Sequence, residues 1–444
     1  MNKLNNINAK IGKYRWTICS LLFFATTINY LDRQVLSLLK SDLETAFNWT
    51  DVDYANITSF FQFSYAISLF FAGRFIDWLG TKKGYAWAII IWSLGAIGHA
   101  LSRATSGFML WRGVLGLGES GNFPAAIKTT AEWFPKKDRA LATGIFNSGA
   151  NIGAILAPLT VPFIAQLWGW QMAFISIGAV GFIWLIFWFW LYETPQRMLK
   201  KGTIRQSEYD YIHSDKDEQT PPADKKNKTP WYLEWGKLLT YKQTWAFTTG
   251  KFLTDGVWWF FLFWLPDYLK TQYGMTTSEM AIPLAVLYSM TMVGSIGGGA
   301  FPMYFIKKGM NPYSGRMKAM LVIASFPLVV LATQYMGTFN FWWAIILIGI
   351  GASAHQAWSA NIYTTVSDMF PKKVVGSVTG IGSMAGGLSG ILVSQLAGRI
   401  FNHYAALGHK ETGYTLLFIY CAFAYLLAWC IMKFLVPKFK QITI

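Results

Sequence analysis

An aspartate and an arginine, Asp32 and Arg33, sit side by side in the otherwise apolar run ATTINYLDRQVLSLL (25–39). A second set lies further on, where Arg112 and Glu119 are seven residues apart, two helical turns along one face. At the centre of a membrane helix each such charge costs about 3 kcal/mol, so ionisable residues in these runs are functional candidates by default. The two guanidinium groups suit an anionic ligand, because they stay charged at any working pH and their planar fork matches a carboxylate. The two carboxyls suit proton coupling. Apolar surroundings disfavour an ionised carboxyl and a neighbouring arginine favours it, so an anion arriving at the arginine links binding to protonation. The other reading is a static or gating pairing of Asp32 with Arg33 and of Arg112 with Glu119.

Uncharged groups accompany them. Tyr30 lies two residues before Asp32, and Tyr65 follows Gln62 and Ser64; their hydroxyls can bind polar groups of a ligand or simply pack. Asn147 and Asn151, at i, i+4, suit binding or helix–helix hydrogen bonding equally. Later in the chain, Lys251 and Asp255 are one turn apart and read first as a mutually neutralising pair. Trp258 and Trp259 can stack on a flat face of a ligand. HQAWSAN (355–361) is a polar patch in which His355, Gln356, Ser359 and Asn361 can reach a cavity, with hydroxyl binding favoured over a proton role for His355.

These residues need membrane helices to position them. The 444-residue chain is 53% hydrophobic and only 14% charged, well under the quarter usual for soluble domains. Twelve apolar stretches fall near 15–38, 54–77, 84–102, 106–131, 138–164, 168–192, 244–269, 281–306, 315–336, 339–366, 374–400 and 412–435. The polar N-terminus, up to Lys13, lacks the apolar core and cleavage site of a signal peptide, so the first segment is expected to remain as an anchor.

Basic residues fall into alternate connections, 28 on the side of the termini and five on the other: Lys40, Arg103, Lys270, Arg399 and Lys410. By the positive-inside rule both termini are cytoplasmic, which requires an even number of spans. The formal charge of +16 is thereby explained by topology, and no nucleic-acid partner is needed. Cys19, Cys421 and Cys430 lie within apolar segments without ligand-type spacing to histidine, so neither a disulfide framework, a metal site nor another cofactor is expected.

The chain also repeats itself. TTAEWFPKKDRALATGI (129–145) and TVSDMFPKKVVGSVTGI (365–381) share eight of 17 positions at an offset of 236. Each joins the fourth span of a half to its fifth. The expected architecture is therefore all-α, with twelve transmembrane helices in two pseudo-symmetric six-helix halves. The halves cover 1–192 and 244–444, joined by a polar cytoplasmic linker, 193–243, that contains KDEQTPPADKKNKT (216–229).

At this point the sequence resembles the major facilitator superfamily. GRFIDWLGTKKG (73–84) looks like its helix 2–3 signature, with Trp78 where an arginine is usual. INYLDR (28–33), GLGESGNFPAAIK (116–128), WFPKKDRALATGIFNSGANIGAILAP (133–158) and WWFFLFWLPDYL (258–269) resemble its anion:cation symporter family, most closely the bacterial hexuronate transporters. The resemblance implies a non-enzymatic importer of a small organic anion by alternating access, a hexuronate or alternatively another sugar acid such as galactonate or glucarate, with protons as the coupling ion. It further implies an inner-membrane protein, here expected to be monomeric. It assigns substrate carboxylate or gating to Arg33 and Arg112, and protons to Asp32 and Glu119. Tyr30, Tyr65, Asn147, Trp258, His355, Ser359 and Asn361 are the expected hydroxyl contacts, and Gly73, Asp77, Lys82 and Lys83 a cytoplasmic latch. An organic-phosphate exchanger would want arginines facing each other from both halves, and the second half has none mid-helix. A membrane sensor would want an appended soluble domain.

Overall fold

A computed structural model describes residues 12–214, 236–370 and 372–442; the stretch 216–229 lies outside them. Among the described residues every regular element is helical. The first, α1 (Tyr14–Leu38), has 25 residues. At 1.5 Å per residue it reaches roughly 37 Å, enough to cross a hydrocarbon layer ~30 Å thick. A short helix, α2 (Lys40–Phe47), follows and ends on Asn48 in the left-handed conformation. Next, α3 (Asp51–Leu79) starts on a capping box, in which Thr50 accepts from the Asp53 N–H and the Asp53 carboxylate accepts from the Thr50 N–H at 2.9 Å. The return helix is α4 (Thr81–Gly98).

The fourth passage is broken. It consists of α5 (Thr105–Glu119) and α6 (Asn122–Trp133), interrupted immediately after Glu119. Then α7 (Lys136–Trp168) and α8 (Trp170–Leu191) complete the first six passages. Two short helices, α9 (Pro195–Lys200) and α10 (Gln206–Ile212), lie beyond them. There the buried Glu208 accepts the Arg15 N–H at 3.1 Å, and the Tyr211 hydroxyl donates to Asp138 at 2.9 Å. The described part of the connection is thus fastened to the start of α1 and of α7.

The second set of six comprises α11 (Lys242–Tyr273), α12 (Ala281–Ala300) continued by α13 (Pro302–Lys307), and α14 (Pro312–Ser325) continued through a 3-10 stretch into α15 (Thr333–Gly337). It ends with α16 (Phe341–Met369), α17 (Lys372–Ala406) and α18 (Lys410–Leu435). Seven passages among the described residues are long and apolar enough to cross a membrane by composition alone. The remaining five run through α1, α3, α5–α6, α11 and α16. Those five carry Asp32 and Arg33, Tyr65, Arg112 and Glu119, Lys251 and Asp255, and His355. Their polarity is the cost of the site they build.

Within the first half α1 packs on α7 and α3 on α5; within the second, α11 packs on α17 and α18, and α12 on α16. The halves meet where α3 lies on α17 and α7 on α12. Lipid gives apolar helices little reason to associate, so such contacts rely on small residues and hydrogen bonds. Gly398 meets that need, since a side chain there would strike Ala55 and the Asp51 backbone. Beside it, Gln395 Nε2 donates to Asn56 Oδ1 and Ser59 Oγ, both at 3.0 Å.

Candidate functional site

The two intrahelical pairings of the alternative reading, Asp32 with Arg33 and Arg112 with Glu119, do not form. Arg33 reaches across from α1 to α5, where Nη2 and Nε donate to Glu119 Oε2 at 2.7 and 2.9 Å. Arg33 is 3% exposed and Glu119 1%, so this ion pair is fully desolvated. The break after Glu119 places its carboxylate at a helix end, opposite Arg33 in the last third of α1. The reason for the difference is geometric: neighbours i and i+1 on a helix point in different directions, so Asp32 and Arg33 cannot face each other. Asp32 is buried at 2% exposure, and neither of its carboxylate oxygens has a hydrogen-bond partner.

Four rings surround the Arg33 guanidinium, with centroids at 4.7 Å for Tyr30, 5.0 Å for Tyr65, 5.2 Å for Phe61 and 5.5 Å for Trp259. Trp259 comes from the second half, so this aromatic box closes across the interface. Arg112 is placed otherwise. It is entirely buried, lies over Phe61 at 4.9 Å, and donates from Nη2 to the Arg33 carbonyl at 2.6 Å. Its Nε and Nη1 have no hydrogen-bond partner. In this conformation Arg112 supports the α1 backbone under Arg33 and meets a second-half ring of its own, Phe263 at 5.8 Å.

Of the expected second-half contacts, His355 is buried, stacked on Trp258 at 5.2 Å with the planes 9° apart, and its Nδ1 is 2.8 Å from the Tyr425 hydroxyl. Ser359 is half-buried. Asn361 is committed elsewhere: it is fully buried and donates to the Gly298 and Ala357 carbonyls, each at 2.8 Å, so it ties α16 to α12 and has no free donor for a ligand. Asn147 is exposed on α7. Lys251 and Asp255 form the ion pair expected, at 2.6 Å.

The latch residues stay within the first half. Asp77 pairs with Lys128 of α6 at 2.7 Å, and Lys82 with Glu193 beyond α8 at 2.7 Å. That hydrogen bond from Lys82 holds the Glu193 carboxyl below its ordinary range. Lys83 is exposed, and a side chain at Gly73 would meet open space.

Sequence reasoning missed a second cluster, at the end of the bundle opposite the termini. Lys40 Nζ lies 2.8 Å from Asp51 and 2.5 Å from Asp267 of the other half, and also contacts Glu44. Lys410 answers from the second half, at 2.9 Å from Asp51 and 3.0 Å from Asp267. Tyr414 donates to Asp267, and the Tyr54 hydroxyl donates across the interface to the Phe263 carbonyl at 2.7 Å. This buried bar seals the halves together at that end. The signal available in sequence was the scarcity of basic residues there, since Lys40 and Lys410 are two of five.

Comparison with known proteins adds the family context. The sequence pattern of the Major Facilitator Superfamily matches residues 22–394. The chain is 30% identical over 393 residues to the hexuronate transporter of Escherichia coli (strain K12), covering 88% of each. It is 32% identical over 298 residues to the galacturonate transporter of Dickeya chrysanthemi, covering 67% of this chain and 84% of that one. Among solved structures it superposes, with a TM-score of 0.74 and 18% identity, on a bacterial homologue of the human lysosomal transporter Spinster in an inward-facing, unoccupied conformation, covering 97% of this chain and 98% of the other.

Proposed function

Because the chain belongs to the major facilitator superfamily, a family of membrane transporters rather than enzymes, we propose that it is a proton-coupled symporter that imports a sugar acid, most specifically a hexuronate such as glucuronate or galacturonate. The single observation that carries this reading is the desolvated Arg33–Glu119 pair with the unpartnered Asp32 beside it. The names of the two relatives, one a hexuronate and the other a galacturonate transporter, support the substrate class.

The physical route is competition for one guanidinium. A substrate carboxylate docking on Arg33 displaces Glu119, and the released carboxyl, in apolar surroundings, takes up a proton. Substrate and proton thereby bind together, and neither leaves Arg33 with a bare counter-charge. Rings around Arg33 exclude water and present flat faces to a sugar. With the charge of the site balanced, the halves rock about it, opening one end as the other closes. On release Glu119 returns to Arg33 and its proton departs. Asp32 accepts no hydrogen bond and is the second carrier of a proton, one that a neutral carboxyl holds at least cost. In this reading both termini are cytoplasmic, the Lys40–Asp267 bar lies on the outer side of the inner membrane, and the transporter works as a monomer.

The test is uptake by purified protein in liposomes. An inward proton gradient is expected to drive accumulation of labelled glucuronate, galacturonate or both, and collapse of the gradient to abolish it. Failure of glucuronate, galacturonate, galactonate and glucarate alike would sink the substrate class.

A further inference from the structure

Of the two polar residues just before Tyr65, one is committed and the other is not. Ser64 donates to the Gly113 carbonyl at 2.6 Å and so ties α3 to α5 within the first half. Gln62, near the middle of α3, turns to the other half and is fully buried. Its Nε2 reaches Ser394 Oγ of α17 only at 3.4 Å, longer than the roughly 2.7–3.2 Å of an ordinary N–H···O bond. Its Oε1 has no hydrogen-bond partner. Turning the amide over exchanges the two atoms and leaves the same deficit.

The deficit is local. One turn back along α3, Gln395 of α17 donates to both Asn56 and Ser59 at 3.0 Å, so the same seam is well satisfied there. One turn forward the helices are in close contact, since a side chain at Gly387 would come to 2.9 Å from Ala66 Cβ. Between these, a side chain at Gly390 would meet both Gln62 Nε2, at 2.9 Å, and Trp259 Cδ1, at 2.5 Å. The amide therefore lies beside the second-half ring that closes the aromatic box, 5.5 Å from the Arg33 guanidinium. Phe61, the preceding residue, is another wall of that box. With its carboxylate on Arg33, a sugar acid has hydroxyls left to bind. A hydroxyl both donates and accepts, as an amide does. An amide buried without its hydrogen bonds costs free energy, so a ligand that supplies one is favoured over a ligand that does not.

We propose that Gln62 is a specificity-determining residue whose amide binds one hydroxyl of the sugar acid held at Arg33 and so rejects the acid that lacks it. The long contact to Ser394 gives way to the substrate, and Trp259 beside it offers the sugar a flat face. This inference rests on the reading of the chain as a sugar-acid symporter.

The experiment measures uptake of labelled glucuronate or galacturonate in liposomes and competes it with the same acid deoxygenated at C2, C3 or C4 in turn. Wild type is expected to bind one of the three at least about tenfold more weakly than the parent acid. In Gln62→Met, which keeps the length and removes the amide, the parent acid is expected to weaken about tenfold and that analogue to bind within about twofold of it, as for a direct contact. Ser394→Ala removes the seam partner alone and is expected to keep the wild-type discrimination. Should Gln62→Met not fold, Gln62→Asn withdraws the amide by one methylene and is expected to lose the same discrimination. Wild type binding all three analogues as well as the parent acid, or the discrimination surviving in the Gln62 variants, overturns the inference alone. Its loss in Ser394→Ala as well does the same, by assigning the effect to the seam between α3 and α17. Wild type carrying neither acid overturns the hexuronate reading and this inference with it.

Discussion

Arg33 on α1 holds Glu119 on α5 by two hydrogen bonds to one oxygen, Oε2, and leaves Oε1 buried without a partner. The pair is complete in charge but incomplete in hydrogen bonding. A buried acceptor left unmet costs about 1–3 kcal/mol, which favours any change that supplies it with a proton or a donor. Glu119 is therefore poised to leave Arg33 when another carboxylate offers to replace it.

Glu119→Gln tests that exchange directly. The amide keeps shape and one acceptor for Arg33 but cannot gain or lose a proton. Accumulation of substrate against its gradient is expected to fall at least about tenfold, the range of typical coupling energies. Exchange of labelled for unlabelled substrate at equal pH is expected to survive. Liposome uptake and counterflow measured side by side read both quantities, and loss of exchange along with accumulation would argue for a structural role.

Asp32→Asn makes a sharper stability prediction. A buried carboxyl that accepts no hydrogen bond and is held neutral loses little when replaced by a neutral amide of the same shape. The melting transition of the detergent-purified variant is expected to match wild type within about 1 kcal/mol. A large loss of stability would show that Asp32 is charged and paired in the resting protein.

Much of this was legible beforehand, and the reason is contrast. Arg33, Arg112 and Glu119 stand out because charges in apolar runs are rare, and the twelve passages follow from the same hydropathy. Partner identity was not legible. Arg33 and Glu119 are 86 positions apart, and only the break after Glu119 sets the approach of α5 to α1. The Lys40–Asp267 bar was hidden for the opposite reason. Its members lie at the ends of apolar runs, where charges are ordinary, and the partners are 227 positions apart. Asn361 misled because a polar residue in a membrane helix serves helix packing as readily as a ligand.

The bar carries its own prediction. Lys40 and Lys410 bridge Asp51 and Asp267 from opposite halves, so Asp267→Asn removes a charge that two cations share. Removing one member of a buried charge network costs about 3–5 kcal/mol, and here the loss falls on the conformation that is sealed at this end. Gln166 and Ser278 join the halves at the same end through the α7–α12 contact, with the Ser278 hydroxyl donating to Gln166 at 3.3 Å. Cysteines at those two positions, with Cys430→Ser to remove the exposed native thiol, are expected to cross-link readily in wild type and far less in Asp267→Asn. Equal cross-linking would mean that the bar does not hold this end shut.

Arg33→Lys separates charge from shape. Lysine keeps the positive charge that balances Glu119, so folding and expression are expected to hold. It cannot keep the planar stacking within the box of Tyr30, Tyr65, Phe61 and Trp259, nor the two parallel donors that hold one carboxylate oxygen. The loss of one charge-assisted hydrogen bond to the substrate carboxylate is expected to raise KM about tenfold. Because lysine still competes Glu119 against the substrate anion, the ratio of protons to substrate is expected to stay the same, measured from the accumulation reached at a fixed pH difference. A KM within about twofold of wild type would place the carboxylate on Arg112 instead, in a conformation that frees its unpartnered Nε and Nη1.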